Sequence, residues 1–259
     1  KRELPTKVAS AVGTDHLGYR LVSGLVKNYG PGPFYVRVAK DEALLVHSPE
    51  DLEFVLGGSP DPFASDPEPK KNGMSAFQPD ALTISRGDLW AQRRQFADAV
   101  LEPGKPLHSL AKNFVKVAAE TAGDLVGQSV DYHTIDHAFQ RMTRRIVFGD
   151  HAADDTAMTD ILSELMSLGN KMPGEPGPQY PELIALIEGH LAKAETGSLA
   201  AKIAKTPAPP GGAAGQVIHW LMAMGDTLSA NVLRALALLA THAEQRTEVR
   251  REIAAADIN

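Results

Sequence analysis

Residues 214–239 read AGQVIHWLMAMGDTLSANVLRALALL and predict the longest helix of the chain. Apolar residues dominate 217–224 and 232–240, so we expect this helix to be buried on more than one face. Gly225 costs about 1 kcal/mol relative to Ala in a helix interior, and it permits a bend or the close approach of a flat ligand. Asp226 and Thr227 follow directly, and an acid beside an alcohol in apolar surroundings can relay protons. A glycine for tight packing beside a surface Asp is the alternative interpretation.

Outside this helix, the pattern predicts a mostly α protein with a small N-terminal β-sheet, in a single domain over 1–259. Residues 34–48 predict a β-hairpin that turns at 40–42, and Ser48-Pro49 predicts the start of a helix that ends at Gly57-Gly58. The loop-rich segment 57–88 is expected to hold one turn of helix. Further helices are predicted over 16–29, 89–101, 106–128, 134–148, 155–168, 180–194 and 243–256.

Composition excludes several classes of function. The net charge is −6 with 32 acidic and 26 basic residues, which argues against nucleic acid as a partner. No run of eighteen apolar residues predicts a membrane span, and no leader is apparent, so the expectation is a cytoplasmic protein without a membrane partner. The chain has no cysteine, which excludes a disulfide framework and any thiolate metal site among these residues.

Trp90 and Arg94 are four residues apart, so they share one face of the predicted helix 89–101. An indole N–H beside a guanidinium forms a donor surface suited to a carboxylate. The alternative is a half-buried Trp beside a solvated Arg on a surface helix. Arg93 points elsewhere on this helix and is expected to be a solvated or structural charge.

Two stretches together resemble the cytochrome P-450 family of haem-thiolate monooxygenases, in its bacterial, actinobacterial-type form. MSAFQP at 74–79, SRG at 85–87 and WAQRRQF at 90–96 resemble the segment that leads into the C helix of that family, here 89–101. Residues 214–239 resemble its I helix. The family motif is Ala/Gly-Gly-x-Asp/Glu-Thr. Ala223, Asp226 and Thr227 fit it, whereas Met224 stands at its second position and the glycine comes one residue later, at 225.

The resemblance implies an incomplete cytochrome P-450-like fold and a haem cofactor. It implies that Trp90 and Arg94 bind a haem propionate, that Ala223 and Gly225 border the cofactor, and that Asp226 and Thr227 are catalytic. The axial Cys is expected outside this sequence. The implied reaction inserts one oxygen atom from O₂ into a small organic substrate, with electrons from a separate ferredoxin or flavoprotein reductase.

Two other interpretations stay open, because no iron ligand is present in the chain. One is a haem-free cytochrome P-450-like accessory protein that binds and activates a partner enzyme. The other is a helical binder of small ligands. Bound haem would distinguish the monooxygenase from both.

Three short patterns favour structural roles over functional ones. Glu248 and Arg251 match a Glu-x-x-Arg pattern, yet they follow the long helix directly and are expected on a solvated face. His133 and His137 have a zinc-like spacing with no third ligand apparent, so no metal site is predicted. His219 is expected to be packed or solvated.

Overall fold

The computed structural model describes residues 15–38 and 41–255. The chain packs as two compact units that divide between Glu68 and Pro69. The mostly helical class with a small N-terminal sheet is confirmed. No helix in the described ranges is long and apolar enough to span a membrane.

The described part of the first unit contains two helices and a hairpin. Its elements are α1 (Asp15–Tyr29), β1 (Phe34–Val38), β2 (Asp41–Leu45) and α2 (Pro49–Gly57). The strands are antiparallel with Phe34 opposite Leu45, and Arg37 and Glu42 form a cross-strand ion pair. Asp41 and Glu42 belong to β2, so the predicted turn at 40–42 is wrong at these two residues, and Lys40 lies outside the described residues. Ser48 caps α2 as predicted, since its Oγ accepts from the Asp51 N–H at 3.0 Å.

In its described part the second unit consists of helices and the loops between them, and its first helix begins at the boundary residue Glu68. Its α-helices are α3 (Glu68–Met74), α4 (Gly87–Leu101), α5 (Ala111–Leu125), α6 (Tyr132–Phe148), α7 (Ala157–Gly169), α8 (Tyr180–Leu191), α9 (Leu199–Ile203), α10 (Gly212–Leu221), α11 (Leu228–Thr241) and α12 (Ala243–Ala255). Short 3₁₀ turns cover Leu82–Ile84 and Asp150–Ala152. A π-helical segment, Met222–Thr227, joins α10 to α11.

The core of this unit surrounds α10 and the end of α6. Trp220 on α10 stacks on Phe96 of α4, with ring centroids 6.1 Å apart. The other large core side chains come mainly from α6, α7, α8 and α10, and the most deeply buried are Val147, Phe148, Met158, Leu165, Leu183, Ile187, Val217, Ile218 and Leu221. α10 is buried on nearly every side, as predicted for the helix 214–239. The same prediction is wrong for α11, in which Ser229 alone is buried.

Several predicted helix limits are wrong for local reasons. α5 begins at Ala111 and not at 106, since the turn before it is closed by His108, whose Nδ1 accepts from the Leu110 N–H at 3.0 Å. α8 ends at Leu191, and Ala194 adopts a left-handed backbone with φ +44°. The predicted loop 57–88 contains the seven-residue helix α3, and residue 256 of the predicted last helix lies outside the described part of the chain.

The predicted continuous helix 214–239 is wrong at its centre. The Leu228 N–H donates to the Ala223 carbonyl five residues back, which is the hydrogen-bond pattern of a π-helix. The wider turn falls on the Ala-Met-Gly-Asp-Thr sequence. The bend that Gly225 was expected to permit is therefore a local widening of the helix.

Candidate functional site

The π-helical segment places Asp226 and Thr227 in different surroundings. Asp226 is partly buried and lines a cavity, whereas Thr227 is exposed. Ser229 Oγ lies 2.8 Å from the Asp226 carbonyl oxygen and 3.2 Å from Asp136 Oδ1 on α6, so the hydroxyl bridges the segment and that helix. Asn231 Nδ2 donates to the Thr227 carbonyl at 2.9 Å. An acid and an alcohol therefore flank the same widened turn, one facing the interior and one facing outward.

Gly225 is buried against α6. A Cβ at this position would lie 2.3 Å from Oε1 of Gln140 and 2.7 Å from its Cδ. The close approach that the glycine permits is therefore filled by the Gln140 side chain. Ala223 is half-buried, and Met224 packs against the core.

The cavity beside Asp226 has a volume of about 320 Å³. It lies among α6, α7 and the π-helical segment, and its walls combine carboxylates with apolar side chains. The lining residues that matter for the chemistry of this cavity are Tyr132, His133, Asp136, His137, Gln140, Arg144, Asp160, Met166, Met222 and Asp226. Burial raises the pKa of Asp226, and the nearby Asp136 carboxylate raises it further. Asp226 therefore holds a proton more readily than an exposed Asp.

Trp90 and Arg94 lie on α4, one turn apart, as predicted. Trp90 is half-buried and Arg94 is exposed. Arg94 Nε lies 2.8 Å from Asp98 Oδ1, and both side chains are well exposed, at 46% and 43%. Exposed pairs of this kind contribute about 1 kcal/mol or less, so an incoming carboxylate can displace Asp98. α4 contacts α10 through Phe96 and Trp220.

Arg93 is a structural charge and not a solvated one. Its side chain is 5% exposed, and Nη2 lies 2.6 Å from Asp80 Oδ1. Nη1 donates to Ser85 Oγ at 2.7 Å and Nε to the Pro210 carbonyl at 3.1 Å. Asp80 also accepts from the Tyr180 hydroxyl at 3.3 Å, and burial together with the Asp80 charge raises the pKa of Tyr180. Sequence spacing alone could not select Arg93 over Arg94 for this role.

The three short patterns have structural surroundings. Glu248 and Arg251 form an exposed ion pair on α12, as predicted. His133 and His137 are exposed and line the cavity, and the described residues contain no group of three or more side chains arranged for a metal ion. His219 is packed, with Nδ1 3.2 Å from Gln78 Oε1, and burial lowers its pKa.

A comparison with models of known protein families finds no match for this chain, and a comparison with curated protein sequences finds none either.

Proposed function

We propose that this chain belongs to a haem-dependent monooxygenase of the cytochrome P-450 type, which inserts one oxygen atom from O₂ into a small organic substrate. The observation that carries the proposal is the π-helical segment at Met222–Thr227, because π-helical turns inside α-helices frequently mark functional sites. It coincides with the sequence that resembles the family's oxygen-binding motif.

The residues of α4 suit a haem carboxylate. Trp90 supplies an indole N–H, and Arg94 supplies a guanidinium that pairs with the exposed Asp98 in the described part of the chain. The 259 residues contain no cysteine, so the axial thiolate would come from residues outside this sequence. Haem, when bound, supplies the oxygen chemistry, and the protein supplies binding and positioning.

The proposal gives Asp226 and Thr227 separate parts in proton delivery. The Asp226 carboxyl faces the cavity, and its raised pKa favours uptake of a proton at Oδ from that side. The Thr227 hydroxyl is exposed on the same turn, where Oγ1 can donate a hydrogen bond to a ligand. A separate ferredoxin or flavoprotein reductase would supply the electrons.

Haem titration of the purified chain tests the binding part of this proposal. We expect saturable one-to-one binding, measured from the haem absorbance. Arg94→Gln should weaken it by about tenfold or more, because a charge-assisted hydrogen bond is worth about 1.5–3 kcal/mol. Arg250→Gln on α12 is the matched control. Absence of saturable binding, or equal losses in both variants, contradicts haem binding at α4.

One observation favours the accessory-protein alternative. α11 leaves Leu228, Leu236 and Leu238 exposed, at 42%, 49% and 61%, which is an apolar surface that could contact a partner. Haem binding also separates the two functions, since an accessory protein without haem has no use for the donor pair on α4.

A further inference from the structure

Two histidines and two carboxylates form a continuous chain of contacts between three segments of the second unit. His151 lies in the 3₁₀ turn after α6, and His190 lies near the end of α8. Asp155 and Glu195 are the first and last members of this series of contacts. His151 Nδ1 lies 2.6 Å from Glu195 Oε2, His151 Nε2 lies 3.1 Å from His190 Nδ1, and His190 Nε2 lies 2.9 Å from Asp155 Oδ2. Every imidazole nitrogen of the pair therefore has one partner.

The contact between the two imidazoles has the geometry of a hydrogen bond in the ring planes. The ring centroids of His151 and His190 are 5.2 Å apart, and the planes differ by 26°. The two ring centroids are about 2 Å farther apart than the two nitrogens, whose N···N distance is 3.1 Å. The nitrogens therefore lie between the rings and point at each other. A metal ion bound in line would need the nitrogens about 4 Å apart, at about 2 Å from each. The gap fits a proton and not a metal.

The number of protons that the three contacts need decides the net charge of these four side chains. An ionised carboxylate only accepts, and a neutral imidazole carries one N–H. The three contacts need three protons, whereas two neutral imidazoles supply two. We propose that His151 and His190 together hold one additional proton from solution, shared between Nε2 of His151 and Nδ1 of His190.

The carboxylates are held in the ionised form that this count requires. The pKa of Asp155 is lowered, chiefly by its hydrogen bond with His190. The pKa of Glu195 is also lowered: burial opposes ionisation, and hydrogen bonds from His151 and from the backbone N–H of Asp150 outweigh it. Two carboxylates thus face one shared positive charge.

The charged groups that surround these four residues lie mainly on α6 and in the turn after it, and Arg144 also acts electrostatically on Asp155. On α6, Arg144 donates to the Ala152 and Ala153 carbonyls, and Phe148 packs its ring 5.3 Å from the His190 ring. Other charged side chains near these four residues form the ion pairs Arg145–Asp150, Arg145–Glu120 and Arg141–Asp154. Asp160, on α7, lies near Arg144.

The shared proton clasps the turn after α6 to the end of α8. His190 is the most buried member, with a side chain 9% exposed, whereas Asp155 and Glu195 are 36% and 35% exposed. When the additional proton is lost, one of the three contacts brings two lone pairs together and must open. All three contacts of the clasp therefore depend on that proton.

Asp155→Asn offers a sharp test because the introduced amide can donate. Its Nδ2 can give an N–H to His190 Nε2, His190 can then give its own proton to His151 Nε2, and His151 keeps its proton toward Glu195. All three contacts are satisfied by two neutral imidazoles. The variant should therefore remove the additional proton and switch the tautomer of His190.

The experiment is nitrogen NMR of the whole chain labelled in its histidines, at neutral pH. For the native protein we expect three protons on the four nitrogens of the pair, with His190 Nε2 protonated. For Asp155→Asn we expect two, with His190 Nε2 bare. Asp154→Asn, whose native side chain is exposed and pairs with Arg141, is the matched control and should keep three.

Two outcomes overturn the proposal. One is a native protein whose two imidazoles carry only two protons at neutral pH, and this result does not depend on any variant. The other is a folded Asp155→Asn protein that still carries three.

Discussion

Gln140 fills the space in which Gly225 would carry a side chain. A Cβ at 225 would lie within 2.3 Å of Oε1 of Gln140 and 2.9 Å of its Nε2. The Gln140 side chain of α6 therefore packs directly against the π-helical segment at Gly225. Gly225 permits this contact between α6 and the π-helical segment, and the widened turn lies at the same place.

Gly225→Ala is expected to be less favourable in the native protein than in a Gln140→Ala variant. In the native background the new methyl must displace the Gln140 amide, the far end of a flexible side chain, which offsets part of the gain of about 1 kcal/mol in helix propensity. When Ala replaces Gln140, nothing has to be displaced and only the gain in helix propensity at position 225 remains. Urea unfolding of the four proteins measures the coupling, expected at about 0.5–3 kcal/mol. Additive effects would contradict direct contact.

The adjacent arginines of α4 are expected to differ strongly in their contribution to stability. Arg93→Met leaves Asp80 without its ion-pair partner at 2.6 Å, so we expect a loss of about 3 kcal/mol. Arg94→Met removes only an exposed pair and should cost less than about 1 kcal/mol. Both free energies of unfolding come from urea titration, and equal losses would be evidence against the assigned burial.

This pair of arginines also shows what the sequence can and cannot predict. Apolar periodicity and the punctuation by Pro and Gly predicted most of the helices, because those signals act locally. Arg93 is buried because Asp80, Ser85 and the Pro210 carbonyl meet it, and periodicity cannot place the Pro210 carbonyl, which is 117 residues away in the chain. The π-helical turn likewise depends on contact with α6, and the histidine chain joins residues up to 44 positions apart.

Gly149→Ala is expected to lower the free energy of unfolding by about 2 kcal/mol or more. Gly149 has φ +114°, where an L side chain is strained, and a Cβ would lie 2.2 Å from Cδ of Glu195. Gly123→Ala on α5 is the matched control, since nothing lies within 4 Å of its Cβ position, and it should stabilise the helix by about 0.5–1 kcal/mol. Thermal unfolding of both variants checks the sign of each effect.

Glu102 is expected to stabilise the fold only in its ionised form. Its carboxylate accepts from Lys105 and Lys202, at 2.8 and 2.5 Å, and from the Ser109 N–H at 2.7 Å. These bonds, led by that from Lys105, lower the pKa of Glu102 far below its usual range. The stabilisation is therefore complete above the unfolded pKa of about 4.3 and is lost as the pH falls toward the folded value.

The measurement for Glu102 is the urea midpoint of Glu102→Gln against pH. The variant should be less stable than the native protein at neutral pH, and the difference should narrow as the pH falls below about 4. Glu252→Gln on α12, where the native side chain is exposed, is the control. A constant difference across the pH range would mean that hydrogen-bond geometry, and not charge, accounts for the loss.

Asp226→Asn is expected to stabilise the protein at neutral pH. Burial, followed by the Asp136 charge, raises the pKa of Asp226, so the folded state binds this proton more tightly than the unfolded state. Stability falls as the pH rises from the unfolded pKa of about 3.9 through the folded value, and the cost persists above it. Because Asp226 is only partly buried, the gain in the variant should stay below about 1 kcal/mol.

Urea midpoints at neutral and at acid pH separate this effect from others. The gain of Asp226→Asn should vanish below about pH 4, where the native carboxyl is protonated in both states. Asp160→Asn removes a charge from the same cavity and distinguishes a general effect of charge from the burial of Asp226. If proton transfer requires Asp226 in the π-helical segment, we expect its carboxyl to be present there although it lowers the free energy of unfolding. A loss of stability in Asp226→Asn would instead make it a structural residue and weaken the monooxygenase proposal.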